Sequence, residues 1–257
     1  MRADGGAVCE RGHSFDRAKE GYYNLLLGKG GTHGDNAEMV LARRKFLECG
    51  FYQPLAMKLS ELVGEAARGG GVILDAGCGE GYYTERVSRH LGGCEGSFKM
   101  LAFDISKDAV KRTAKRGFKG EFAVASTYKM PIPDGKVDVI FNVFSPFATD
   151  ECYRVLGRGG YFIAAIAGED HLYSLKEKIY DTPYKNTVAD THLPGFELVT
   201  SRELKYDILL KNPDEVRSLF MMTPYAYRTS EEGRNRVNAI NSLQTTAHFH
   251  ILVYKKI

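Results

Sequence analysis

The sequence lacks the long apolar run of a membrane-spanning protein and the strong positive charge of many nucleic-acid-binding proteins. No stretch approaches the roughly 20 apolar residues that span a bilayer, and the first residues contain no apolar segment of a signal peptide. The net charge of +3 is too small to indicate nucleic-acid binding by itself. The five cysteines are an odd number without a regular framework, so we expect reduced thiols, a cytoplasmic location and no membrane partner.

Glycine is abundant, and one motif uses it at every second position. The apolar residues 72–74 run into Asp75, glycines follow at Gly77, Gly79 and Gly81, and residues 82–91 are compatible with a helix. Glycine is needed where the backbone has positive φ and where a ligand approaches the main chain. The spacing differs from the dinucleotide fingerprint and from the phosphate-binding loop. It is typical of the loop that holds S-adenosylmethionine in class I methyltransferases, and an ordinary tight turn is the alternative.

A second apolar run, residues 98–103, ends in Asp104 about 20 residues beyond the loop. Nucleotide-binding folds place a carboxylate at this position for the ribose hydroxyls. We therefore expect Asp104 to bind a ribose. The alternative is that Asp104 only caps a helix that begins near Ser106.

Strands alternate with helices along the rest of the chain, which predicts a parallel, doubly wound sheet. Helices are predicted at residues 107–116, 149–156 and 213–221, and the second of these is expected to stop at a left-handed glycine within residues 157–160. Strands are predicted at residues 121–125, 137–143 and 161–166. Two later apolar runs, residues 196–204 and 249–254, are expected to pair as edge strands.

Several segments together resemble one enzyme family, the bacterial 23S rRNA (guanine-N1)-methyltransferases called RlmA or RrmA, which include the tylosin-resistance methyltransferases. The most specific are Asp16-x-Ala-Lys-Glu-Gly-Tyr22 and Met222-Thr223-Pro224. The others are Cys9-x-x-x-His13-Ser-Phe, Ala37-Glu-Met39 with Arg43-Arg44, Phe51-Tyr-Gln-Pro-Leu55, the glycine loop, Phe103-Asp-Ile-Ser-Lys107 and His171-Leu-x-x-Leu-Lys176. The matches are spread over nearly the whole chain.

The resemblance implies a class I, Rossmann-like fold with a seven-stranded sheet. It also implies methylation of N1 of a guanosine in hairpin 35 of 23S rRNA, with S-adenosylmethionine as cofactor. By the same resemblance, the cofactor contacts are expected at Tyr52, Tyr83, Thr84 and His171. They join the set expected from the motif itself, which is Asp75, Gly77, Gly79, Gly81 and Asp104.

The N-terminal segment departs from the family pattern. The family has a zinc ribbon with Cys-x-x-Cys followed by Cys-x-x-x-His, and here only Cys9 and His13 of these four ligands are present. Two ligands do not make a structural zinc site, so we expect no bound metal. Either the chain is shortened or its lineage has lost the zinc. Residues 1–35 are predicted to be a truncated, ribbon-like segment for RNA recognition, and residues 36–257 to be the methyltransferase domain.

The sequence says less about the residues that bind the guanosine substrate. Asn142 and Ser145 are candidates to bind the guanine edge, and Phe144 or Phe147 to stack on a flipped base, but no general base is assigned. Two other functions stay open: a small-molecule methyltransferase, and a non-catalytic RNA-binding or ribosome-assembly protein that retains the cofactor pocket. The sequence also leaves open which guanosine is modified, whether macrolide resistance follows, and whether the chain forms a homodimer.

Overall fold

The computed structural model describes residues 6–9, 12–26, 34–188 and 191–257. Its strands are β1 (Ala7–Val8), β2 (Ser14–Phe15), β3 (Tyr22–Asn24), β4 (Gly69–Ala76), β5 (Gly96–Asp104), β6 (Glu121–Val124), β7 (Val137–Val143), β8 (Leu156–Ala167), β9 (Phe196–Leu210) and β10 (Leu243–Lys256). Its helices are α1 (Ala37–Glu48), α2 (Gln53–Ala66), α3 (Tyr82–Leu91), α4 (Lys107–Ala114), α5 (Thr149–Val155), α6 (Tyr173–Ile179), α7 (Pro213–Met221), α8 (Tyr225–Arg228) and α9 (Glu231–Asn238). None of these helices combines the length and apolar composition that crossing a bilayer requires.

One large sheet organises the molecule, in the order β3-β6-β5-β4-β7-β8-β10-β9. The strands from β3 to β8 are parallel, and β10 runs antiparallel between β8 and β9. The doubly wound α/β fold and the pairing of the two late strands predicted from the sequence are confirmed. Of these two strands only β9 lies at an edge of the described sheet, because β10 pairs on its other side with β8. The carboxyl ends of the parallel strands meet at one edge, where this fold class binds ligands.

The expected count of seven strands was one too low. Within the described residues the sheet has eight strands, because β3 pairs in parallel with β6, Tyr22 opposite Phe122. The Tyr22 side chain is buried in a small apolar cluster with Phe122 and Val124. The N-terminal segment therefore contributes to the main sheet, while the domain division after residue 35 stays a prediction.

The predicted glycine stop after α5 was also wrong. The chain passes from Val155 directly into β8, whose first residue, Leu156, has extended backbone at ψ 135°. Both residues are fully buried, so packing holds the chain at this junction without a left-handed residue. The positive φ of 74° occurs later, at Gly159 inside the strand.

Strand residues alternate between two apolar layers. Ile73, Val139 and Ile163 face the layer built with α1, α2, α3 and α7. Their neighbours, among them Leu74 and Ile140, face the layer that contains α5. The central strands are thus apolar on both faces, as expected for buried parallel strands.

A buried arginine connects three elements next to the glycine loop. Arg116 follows α4, and its side chain is only 3% exposed. Its Nη1 donates to Oε2 of Glu85 in α3 (2.6 Å), and its Nε donates to the main-chain oxygen of Glu80 (2.7 Å). Nη2 pairs with the Glu80 carboxylate and lies 2.8 Å from Oε1 of Glu48 in α1. One guanidinium therefore fastens the glycine loop and α3 to α1.

Replacing Arg116 by methionine should strongly destabilise the protein. The Glu80 carboxylate would stay buried without its counter-ion, so we expect the free energy of unfolding to fall by about 3–5 kcal/mol in urea titrations. Arg89→Met is the matched control, because Arg89 also pairs with Glu85 but its side chain is 75% exposed, and it should cost less than about 1 kcal/mol. Adding Glu80→Gln to Arg116→Met should recover part of the loss. Equal, small losses in both single variants would contradict this role.

Candidate functional site

The glycine loop connects the end of β4 to the start of α3. Its three glycines all have positive φ: 95° at Gly77, 55° at Gly79 and 86° at Gly81. The loop is tied to the neighbouring strand, because the amides of Gly77 and Cys78 both donate to the main-chain oxygen of Phe103, at 2.9 and 3.0 Å. This geometry fits the glycine requirement that the sequence predicts.

The three glycines differ in what surrounds them. A Cβ at Gly77 would overlap the hydroxyl of Ser145, and one at Gly81 would press against a side chain of α4 at 2.8 Å. A Cβ at Gly79 would meet only one described atom within 4 Å, Nη1 of Arg43 at 3.7 Å. The outer glycines thus allow close packing, whereas the middle one faces open space in which a ligand can lie on the main chain.

Two carboxyl groups flank the loop. Asp75 is buried at the end of β4 and accepts a hydrogen bond from Thr84 Oγ1 (2.6 Å). Burial raises the pKa of this carboxyl to about 8, and the hydrogen bond from Thr84 only partly opposes the rise. Asp75 can therefore hold a proton near neutral pH in the folded chain.

Asp104 lies at the end of β5. It accepts hydrogen bonds from the amides of Gly79 (2.9 Å) and Ser106 (2.8 Å). Burial raises the pKa of this carboxyl, and the two amide bonds act against that rise. The N-cap of α4 is Ser106, whose Oγ accepts from Ala109 N. Helix capping therefore does not account for Asp104, and its binding of a ribose stays a prediction.

Tyr52 and His171 meet in a buried aromatic wall. Tyr52 Oη lies 3.2 Å from His171 Nε2, and His171 Nδ1 accepts from the main-chain amide of His248 at 3.3 Å. Burial lowers the pKa of His171 to about 3 and raises that of Tyr52 well above its ordinary value. A neutral imidazole that accepts at Nδ1 carries its proton on Nε2, so His171 donates to Tyr52 and neither group is a base near neutral pH.

Tyr83 and Thr84 occupy the first turn of α3, and both are buried. The Thr84 hydroxyl donates to Asp75 rather than pointing at the loop. The expected contact between Thr84 and a cofactor stays a prediction. The Tyr83 hydroxyl is buried without a hydrogen-bond partner among the described residues, so it is a candidate to hydrogen-bond a ligand.

The two aromatic candidates in the segment after β7, Phe144 and Phe147, have different surroundings. Phe144 has a positive φ of 56° and a 43% exposed side chain, and its ring stacks on His171 with centroids 6.0 Å apart. Phe147 instead packs on the core residue Phe162 at 4.8 Å. The Asn142 amide donates to the main-chain oxygen of Ala76 at 2.5 Å, so it holds two strands together. Of these side chains, Phe144 is the one that lies open at the site.

Arg43 lies beside the glycine loop, a position that the sequence did not predict. The resemblance included Arg43-Arg44 and Met222-Thr223-Pro224 without assigning a role to either. In the fold these two segments touch, because Arg43 Nη2 donates to the main-chain oxygen of Met222 at 3.2 Å. The same guanidinium pairs with Asp35 beside the glycine loop.

The N-terminal metal ligands form only half of a zinc site. Cys9 Sγ and His13 Nδ1 are 3.2 Å apart. Within the described part of the chain, the one group of three or more metal-type ligands lies elsewhere, at Glu169, His248 and His250. Since a structural zinc needs four ligands, the described residues around Cys9 do not fit one.

The chain matches two family models and several named proteins. Residues 73–160 match the family model "Methyltransferase domain", and residues 1–27 match "RlmA, N-terminal", a zinc-ribbon model. The chain is 32% identical to the 23S rRNA (guanine(748)-N(1))-methyltransferase of Streptomyces fradiae, over 85% of this chain and 79% of that protein. It is 30% identical to YxjB of Bacillus subtilis (strain 168), which is provisionally named a 23S rRNA (guanine-N(1)-)-methyltransferase. That match covers 97% of this chain and 90% of YxjB.

Solved structures show the fold alone. The [4+2]-cyclase SpnF is 17% identical to this chain, with a TM-score of 0.51, and the match covers 77% of this chain and 80% of that one. Because that relative is named a cyclase, the fold does not fix the reaction. The residues at the site and the sequence relatives have to do so.

The raised pKa of Asp75 predicts a pH-dependent stability. The folded chain holds this proton more tightly than the unfolded chain, whose carboxyl has the ordinary value of 3.8. The stabilisation is complete below about pH 4 and is lost as the pH rises towards 8, with a slope of up to roughly 1.4 kcal/mol per pH unit. Urea titrations across this range should show a steeper loss in the wild type than in Asp75→Asn, where the raised pKa of Asp104 still contributes. The control Asp108→Asn, at an exposed carboxyl of α4, should keep the wild-type slope. Parallel curves for wild type and Asp75→Asn would contradict the assignment.

Proposed function

The chain belongs to the family of 23S rRNA (guanine-N1)-methyltransferases, and we propose that it transfers a methyl group from S-adenosylmethionine to N1 of a guanosine in 23S rRNA. The proposal is supported by two relatives of at least 30% identity that align with most of this chain. We place the target in hairpin 35, because the motifs at residues 16–22 and 222–224 resemble those of enzymes that act there. Such a substrate implies work in the cytoplasm.

The observation that carries the proposal is the open middle glycine between two acids, Asp75, which is buried, and Asp104, which is partly buried. Gly79 presents bare main chain to the pocket, and the Asp104 carboxylate beside it suits two ribose hydroxyls. The start of α3 offers main-chain amides to an anion. When bound, S-adenosylmethionine supplies an electrophilic methyl group on a sulfonium, and the faces of Tyr52 and Tyr83 are suited to attract that positive charge.

We propose that the target guanine stacks on the exposed face of Phe144. Guanine N1 lies on the pairing edge, so the nucleotide has to leave its stack or come from a loop before N1 can meet the methyl carbon. Phe144 offers an exposed ring that is already braced by His171 and Tyr52. Because His171 donates its Nε2 proton and Tyr52 keeps its phenol proton, neither takes the proton of N1. That proton passes to solvent water as the new N–C bond forms and the bond between the methyl carbon and sulfur breaks. These residues contribute by positioning the two reactants.

Labelled S-adenosylmethionine and an unmodified hairpin 35 transcript provide the direct test. We expect one labelled guanosine, which primer extension reports as a single stop because a methyl on N1 blocks base pairing. A transcript with that guanosine replaced by adenosine is the matched control and should stay unlabelled. Cofactor binding with no RNA product would contradict the proposal. Transfer to small molecules would then favour a small-molecule methyltransferase, and RNA binding alone would favour a non-catalytic assembly protein.

Phe144→Leu tests the acceptor platform. Leucine keeps an apolar side chain at the same backbone position but removes the ring, and base–aromatic stacking is worth about 1–3 kcal/mol. We therefore expect kcat/KM for the RNA to fall by roughly five- to a hundredfold, with the Kd of the cofactor nearly unchanged. Phe144→Tyr shares the same backbone strain and keeps the ring, so it should stay close to wild type. Equal losses in both variants would show that stacking is not the role of this residue.

A further inference from the structure

We propose that Arg43 is the counter-ion for the carboxylate of the cofactor's methionine moiety. The inference rests on the proposed function for the identity of the cofactor, and it adds a binding residue that neither the glycine motif nor the expected contacts contain. It assigns a carboxylate subsite to the wall formed by α1.

The position of the guanidinium is the first argument. Arg43 reaches from α1 across the loop, so that its Nη1 is the one described atom within 4 Å of the Cβ position of Gly79. Its side chain is 27% exposed, which places the charge at the rim of the pocket and partly out of water. A ligand that lies on the main chain of Gly79 must therefore pass within contact distance of this group.

The charge of the surroundings is the second argument. Asp75 and Asp104 flank the loop, and Asp35 comes close as well, because its main-chain oxygen accepts from Ser106 Oγ at 2.8 Å. The Asp104 and Asp35 carboxylates would repel a ligand carboxylate, whereas Asp75 can hold a proton near neutral pH, so that end of the ligand needs a cation. The nearby Arg116 is already engaged with three glutamates. Arg43 is the cation that faces the open glycine.

The present partners of Arg43 leave it able to make such a contact. Nη1 of the guanidinium pairs with Asp35, and Nη2 donates to the main-chain oxygen of Met222. A guanidinium has five N–H donors and binds carboxylates through two parallel hydrogen bonds. In the bound state the ligand carboxylate would share Arg43 with Asp35 or replace Asp35 as its partner. The hydrogen bond to Met222 would keep the guanidinium in place. The contact between Arg43 and the Met222-Thr223-Pro224 segment thereby gains a role at the site.

Two ligands that differ only in the amino-acid part separate this role from a structural one. S-adenosylhomocysteine carries the carboxylate, and 5′-methylthioadenosine keeps the adenosine and the thioether without it. In calorimetric titrations of the full chain, Arg43→Gln should raise the Kd of S-adenosylhomocysteine by about ten- to a hundredfold, the range of a lost charge-assisted pair. The Kd of 5′-methylthioadenosine should change by less than about twofold.

Two further variants make the test specific. Lys45→Gln removes an equal charge from an exposed position of the same helix and should leave both dissociation constants at the wild-type value. Asp35→Asn removes the competing carboxylate and should leave the affinity for S-adenosylhomocysteine equal or higher. A loss of that affinity in Asp35→Asn would overturn the proposed exchange of partners.

The remaining outcomes are equally decisive. Parallel losses for both ligands in Arg43→Gln would mean that Arg43 only holds α1 against the loop, and would overturn the proposal. Unchanged Kd values with a raised KM for RNA would overturn it in favour of a phosphate contact. A wild type that binds S-adenosylhomocysteine but methylates no RNA would refute the proposed reaction and leave the Arg43 subsite testable by the same titrations.

Discussion

The burial of one guanidinium, that of Arg116, is the constraint on which the rest of the site depends. It neutralises carboxylates from the glycine loop and α3 and holds both against α1. With α3 fixed, the Thr84 hydroxyl can reach Asp75, and with the loop fixed, the Gly79 amide can reach Asp104. The cost of leaving a buried carboxylate unpaired makes this arrangement nearly all-or-none. The loop and α3 are therefore held in place by contacts within the chain.

The pocket separates neutral groups from charged ones. Burial favours the protonated carboxyl at Asp75, the neutral imidazole at His171 and the phenol at Tyr52. Arg43 and Asp35, each roughly a quarter exposed, carry charge at the rim. Such a division suits a ligand that carries a carboxylate at one end, because the charged groups at the rim can pair with it while the neutral walls exchange no protons with it. In the proposed reaction these walls act by positioning the reactants.

Short elements and through-space contacts limited what could be predicted. Helix α3 and strand β7 were predicted with the observed bounds, because glycine punctuation and apolar runs are local signals. Strand β3 has three residues, too few to show a period, and so the eighth strand was missed. The hydrogen bond from Thr84 to Asp75 was not predicted, because nothing local indicates it. Phe144 and Phe147 were equal candidates until packing placed one in the core and the other at the site.

The sequence by itself determined the class of fold, the loop that a cofactor can approach and the two acids that flank it. These follow from backbone rules: glycine is needed at positive φ, apolar runs form buried strands, and acids at the ends of parallel strands share one edge. Only the tertiary structure decided which side chains face the pocket, which groups are neutral and where Arg43 lies. Those properties depend on burial and on contacts between residues up to 179 positions apart, such as Arg43 and Met222. No local pattern encodes them, because desolvation and charge pairing arise only when the elements pack together.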